Sequence, residues 1–152
     1  RPGRSIGSLA HGLEDFFTGM FESSLLPSEF LVELRLPQAP APSASAFLKL
    51  ETNASDLAIV NTAVRLTLDE GGVCTDARVV LGGVGSTPVR SQAAEQVLRG
   101  ATLDEDVLHE AGEAVAADIE PLSDHRASGV YRKAVAKVLV RRALERALTR
   151  LN

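Results

Sequence analysis

The sequence predicts an α+β domain: an antiparallel sheet of three to four strands packed on a layer of three helices. Three observations predict it. Apolar and polar residues alternate, the mark of half-buried strands, only in the first half of the chain. Asp69-Glu70-Gly71-Gly72 separates two such runs and supplies two glycines free to take the backbone angles of a hairpin. Beyond residue 87 the apolar spacing lengthens to the helical 3.6. Strands followed by helices, segregated in order, place the helices on one face of the sheet.

Residues up to about 26 lack clean periodicity. Phe16, Phe17, Met20 and Phe21 sit among glycines there and read as a loop packed against something. Residues 30–36 predict a strand, with Phe30, Val32, Leu34 and Leu36 on one face and Glu33 and Arg35 on the other. Leu31 is apolar on the polar face. Pro37, Pro40 and Pro42 mark an extended linker, the seam between two units. A strand over 46–51 directs Ala46, Leu48 and Leu50 one way. Phe47, Lys49 and Glu51 point the other way, so Phe47 is a second large apolar residue on a charged face. The runs 58–68 and 73–81 are the two arms of the hairpin.

Three helices follow. Thr87 as N-cap and Pro88 at the first helical position start the first, and Gly100 stops it. Asp104 caps the second, which Pro121 ends. The third begins at Ser123 or Asp124. Its predicted apolar face runs through Val130, Ala134, Val138 and Leu139 into Ala143, Leu144 and Ala147.

At 152 residues, 45% of them hydrophobic, the chain fits one domain with a stub of a neighbour, and its core must be Leu, Val and Ala. Arg1 in place of Met, with Pro2-Gly3-Arg4-Ser5 behind it, is expected to be a segment inherited from within a longer chain. There is no signal-peptide core and no run of about 18 apolar residues, so no membrane span is expected. Cys74 is the only cysteine, which excludes an internal disulfide and suits a reducing cytoplasm. The net charge is −4, with an acidic stretch over 104–124 beside a basic one over 126–150. These neutralise one another and stacking aromatics are scarce, so nucleic acid is not an expected partner.

No complete catalytic site is visible. Gly82-Gly83-Val84-Gly85 lies where a phosphate loop would, but Pro88 replaces the third glycine and a Walker lysine is missing, which favours a tight connection. Glu105, His109 and Glu113 share a helix face yet fall short of a closed metal site. Cys74 has no assigned activating group, and no glycine-flanked serine marks a hydrolase elbow. Asp124 is positioned to pair with Arg126 or Arg132 at the start of the last helix, as a structural contact. Lys133, Lys137 and Arg141, with Arg142, Arg146 and Arg150, form basic rows that suit a solvated face or a partner contact. Exposing a side chain such as Phe47 forfeits roughly 1.5–3 kcal/mol of burial, so Phe47 and Leu31 predict a cover: a strand, a partner or a flat ligand.

Several motifs together resemble a known family. They are Phe16-Phe17-Thr18-Gly19, Leu26-Pro27-Ser28-Glu29-Phe30-Leu31, Ala46-Phe47-Leu48-Lys49, Leu81-Gly82-Gly83-Val84 with Thr87-Pro88-Val89-Arg90, and Ser123-Asp124-His125-Arg126-Ala127-Ser128 with Tyr131-Arg132. In this order they resemble the flavin-carrying medium subunit of the molybdenum hydroxylases, the carbon monoxide dehydrogenase and xanthine dehydrogenase relatives. The likeness implies that residues 1–38 are the tail of an FAD-binding domain and 44–152 its C-terminal α+β domain. It implies FAD in the full-length subunit, not held by this piece alone, and no catalytic or metal-ligating residue here. The implied partners are a molybdenum-binding large subunit and a [2Fe-2S] small subunit, with electrons passing through the flavin to an external acceptor. It also implies flavin contacts at Leu31, Phe47 and Lys49. Relatives often carry an arginine where Thr52, Asn53 and Ala54 stand, so a charged contact there is not expected. Two rival expectations are an interaction module that never touches flavin and a standalone phosphate-binding enzyme built on Gly82 to Gly85.

Overall fold

The structure is a computed structural model that describes residues 10–40, 42–53 and 56–151. It divides into two compact units between Arg35 and Leu36. In the first, a single helical turn α1 (Leu13–Phe16) leads into a small hairpin, β1 (Phe17–Gly19) and β2 (Glu22–Ser23). Phe16 and Phe17 meet edge to face with centroids 5.2 Å apart.

Among the described residues the second unit holds four antiparallel strands in the order β3 (Ser43–Leu50), β4 (Val60–Leu68), β5 (Cys74–Gly82) and β6 (Val89–Arg90). Helices α2 (Gln92–Leu98), α3 (Glu105–Ala114) and α4 (Gly129–Thr149) follow, with a short 3-10 turn Val115–Ala117 after α3. Helix α4 packs on β3 and β4, α2 packs on β5, and α3 packs on both helices. The register carries the alternation across the sheet. Val60, Val64, Leu66, Val79 and Leu81 are buried on the helix side, against Leu98, Val140 and Leu144. Thr62 is the polar member of that row, and its hydroxyl donates to the Val80 carbonyl at 3.1 Å, so the buried oxygen is satisfied. Where α3 crosses α4, a Cβ on Gly112 would meet the Lys137 carbonyl oxygen at 2.9 Å, and Lys137 reaches over to Glu113 at 2.7 Å.

Several boundaries differ from expectation. Residues 30–36 form no strand: among the described residues they make no ladder hydrogen bonds, and both their faces are exposed. Alternation marks a segment suited to a sheet, but a strand exists only with a paired neighbour. Thr87 and Pro88 do not open a helix. Val89 and Arg90 pair with β5 instead, and α2 is capped by Ser91, whose hydroxyl accepts from Ala94 N–H and donates to Asp118 at 2.7 Å. Asp118 also accepts from Ala93 N–H, a cap supplied from 25 residues away. Helix α4 starts at Gly129 behind an N-cap at Ser128, later than Ser123 or Asp124. The buried line of α4 runs through Arg132, Ala136, Val140, Ala143, Leu144 and Ala147, while Val130 and Val138 are exposed. The expected face was right from Ala143 onward and rotated before it.

Candidate functional site

The sheet face turned away from the helices carries the predicted site residues of the second unit. Phe47 lies opposite Ala63 on β4, and Ala63 lies opposite Val80 on β5. One aromatic beside two small or branched side chains makes a low apolar floor, and Phe47 is 58% exposed on it. The floor belongs to a hollow of ≈ 420 Å³ that Ser45, Arg65, Arg78 and Arg150 also line. Lys49 projects from the same strand face two residues along, where its ammonium pairs with Glu51 and donates to the Asp56 carbonyl at 3.1 Å. Its charge is therefore half of an ion pair. Leu31 belongs to the first unit and is 54% exposed. Phe47 and Lys49 thus share one surface, and Leu31 lies on the other unit.

Sequence reasoning missed the ionic border of this surface. Asp76 accepts from Arg65 at 2.8 Å and lies 3.6 Å from Arg78 and from Arg99. Glu95 on α2 is fully buried and is held by Arg90 at 2.7 Å and Arg99 at 2.5 Å, with Arg78 at 3.6 Å. Its Oε1 also accepts the Val79 N–H at 3.1 Å, and Arg99 donates to the Ala77 carbonyl at 3.3 Å. Together Glu95 and Arg99 close the β5 edge where the short β6 leaves off. Four arginines against two carboxylates leave that end of the surface cationic. Nothing in the local pattern around Glu95 signals this cluster in the sequence.

A second cluster surrounds Arg132, which is 5% exposed. Its Nη2 donates to both Asp124 oxygens at 2.8 Å, and its Nη1 reaches the carbonyls of Ile59 and Gly83. Gly83 has φ of +76°, and a Cβ there would meet the Ile59 carbonyl oxygen at 2.6 Å, so the loop requires glycine. Arg126 pairs with Asp56 at 2.9 Å rather than with Asp124, and donates to the Leu57 carbonyl at 2.6 Å. The cluster ties the chain after β3, the glycine loop and the start of α4 together. The loop opens onto β6, with α2 beginning only at Gln92, so it does not present its N–H groups at a helix N-terminus.

Backbone N–H donation from Ala127, then the Arg132 guanidinium and the Arg126 N–H, hold the Asp124 carboxyl down from 3.8 to about 2. A depressed carboxylate stabilises the fold above its unfolded pKa and ceases to do so as pH falls through the folded one. Acid titration of the domain is expected to show stability declining between pH 3.8 and about 2, with the native Asp124 resonance titrating around the lower of these values. Replacing Arg132 with Met should raise that midpoint. Cys74 is buried, and burial foremost, then the Asp76 charge, pushes its thiol pKa up, so it stays protonated. Among the described residues no cluster of three His, Cys, Asp or Glu is placed to hold a metal, and no helix is long and apolar enough to cross a membrane.

Fold and surface together define a two-layer α+β domain with one sheet face covered by helices and the other left open around an exposed aromatic. The family model "CO dehydrogenase flavoprotein C-terminal domain" matches residues 45–147, and the chain belongs to this family. It is 37% identical, over 91% of its length and 47% of the relative's, to the 6-hydroxypseudooxynicotine dehydrogenase complex subunit alpha of Paenarthrobacter nicotinovorans. It is 36% identical, over 90% of its length and 47% of the relative's, to the carbon monoxide dehydrogenase medium chain of Afipia carboxidovorans. A solved structure of carbon monoxide dehydrogenase from Hydrogenophaga pseudoflava, lacking the Mo-pyranopterin moiety of its molybdenum cofactor, superposes with a TM-score of 0.84. That match has 33% identity and covers 90% of this chain and 47% of that one. The chain spans about half the length of the curated relatives it matches.

Proposed function

We propose that this chain is the C-terminal part of the FAD subunit of a cytoplasmic molybdenum hydroxylase, with residues 1–38 the tail of the FAD-binding domain and 44–152 a domain that shields the flavin. The observation that carries the reading is Phe47, a large aromatic held 58% exposed on a flat apolar floor beside Lys49. An exposed aromatic on an otherwise polar face costs burial energy unless something planar and apolar covers it. The isoalloxazine ring has that shape, and the row Phe47, Ala63, Val80 offers it an apolar floor. When bound, the flavin would relay electrons from molybdenum and [2Fe-2S] centres on companion subunits to an external acceptor. Phe47 would exclude water from one ring face, and the Lys49–Glu51 pair would border it with a fixed dipole. Leu31 would contribute a further apolar contact from the preceding unit.

Phe47→Ala in the full-length, flavin-loaded subunit is the test. Aromatic stacking contributes roughly 0.5–1.5 kcal/mol. A preference of that size for one oxidation state shifts a two-electron potential by about 10–30 mV. The visible flavin bands should move as well. The apoprotein should unfold within about 0.5 kcal/mol of the parent, as for most exposed positions. Unchanged bands and potential would favour a docking module that never touches flavin.

A further inference from the structure

Among the described residues strand β3 is an outermost strand, eight residues long, and its partnering fixes which way its backbone groups point. The Pro42 carbonyl accepts from Leu68 N–H, and the unbroken register from Ser43–Thr67 to Leu50–Val60 continues that phase. Even-numbered residues therefore bond β4. Ser45, Phe47 and Lys49 turn their N–H and C=O groups to the free edge. Among the described residues the Ser45 carbonyl is reached there by the Arg150 guanidinium, so the C-terminal end of α4 lies along this edge.

The flank of α4 beside the edge is divided along its length. Near the end of β3, Leu50 with Tyr131, Val135, Val138 and Leu139 lines an apolar groove of ≈ 310 Å³, bordered by Arg142. Further along, Arg142, Arg146 and Arg150 follow one another at i, i+4 and i+8. Like charges at that spacing repel. Arg132, Lys137 and Arg141 on the same helix each have a carboxylate, but Arg142 and Arg146 have none among the described residues.

We propose that the β3 edge and this flank of α4 take an extended segment of a companion subunit as a fifth strand. Apolar side chains of that segment would fill the groove at Leu50, and its carboxylates would lie against Arg142 and Arg146. Main-chain pairing supplies affinity and the divided flank supplies direction, the logic of strand addition to an exposed edge. The proposal rests on the reading of this chain as part of a multisubunit enzyme and does not depend on where the flavin lies.

The test compares the full-length subunit alone with the same subunit assembled with its companions. In amide hydrogen exchange resolved to single residues, Ser45 and Phe47 are expected to slow by at least about tenfold on assembly, with Ala44 and Ala46 little changed. Arg142→Glu with Arg146→Glu is expected to weaken assembly about tenfold or more. Flavin absorbance should be unaltered by those changes, which separates this proposal from the flavin reading. Unchanged exchange on assembly would overturn it. So would protection already present in the isolated monomeric subunit, since the occupant would then be its own upstream chain. Protection that tracks a homodimer in light scattering would overturn it too, by naming a second copy as occupant.

Discussion

Replacing Glu95 with Ala is expected to lower the unfolding free energy by about 3–5 kcal/mol, read by urea denaturation followed by far-UV circular dichroism. The carboxylate is fully buried and serves three purposes at once. It accepts the otherwise unpaired Val79 N–H at 3.1 Å on the β5 edge, just past the end of β6. It takes two bonds from Arg90, at 2.7 and 2.8 Å, and one from Arg99 at 2.5 Å. Removing it strands a buried N–H and leaves three guanidiniums facing one another. The arginines are themselves 28–41% exposed, so water relieves part of that repulsion and the lower end of the range is expected. Glu95→Gln should lose only about half as much. Its amide oxygen can still accept from Val79, while the charge that gathers the arginines is gone.

The second large effect is expected at Arg132. Arg132→Met keeps the apolar stem inside α4's buried line but strips hydrogen bonds from the Ile59 and Gly83 carbonyls and from both Asp124 oxygens. A loss of about 3 kcal/mol follows, since two backbone acceptors near the core lose their donor and the ion pair with Asp124 goes too. Arg132→Lys should restore less than half. One ammonium cannot span a carboxylate and two carbonyls that a planar fork reaches together.

These two residues also mark the limit of what was legible in the sequence. The hairpin at Asp69 to Gly72, the buried faces of β4 and β5, the cap at Asp104 and the apolar face from Ala143 onward all follow from local chemistry, and they stand where the pattern places them. Glu95 is charged, so pattern reading passes it over, and at Arg132 it finds the pair with Asp124 but not the carbonyls of Ile59 and Gly83. Their burial depends on partners 4 to 73 residues away. The start of α2 is similar: Thr87-Pro88 satisfies every local rule for a helix start, but pairing of Val89 with Leu81 and the Asp118 cap win. Residues 30–36 have the alternation of a strand without a described partner for it. Phe47 was legible for the opposite reason. A large aromatic on a charged face contradicts the local pattern, and its exposed placement on β3 keeps that contradiction in view.

In the proposed role the open face of this sheet lies against the flavin ring. An FAD analogue with a photoreactive group on its isoalloxazine ring, bound to the full-length subunit and irradiated, tests it most directly when the labelled peptides are mapped by mass spectrometry. Attachment is expected within the strand Ser43–Leu50, centred on Phe47 and Lys49. Attachment confined to peptides outside that strand, with Phe47 unmodified at full flavin occupancy, would contradict it.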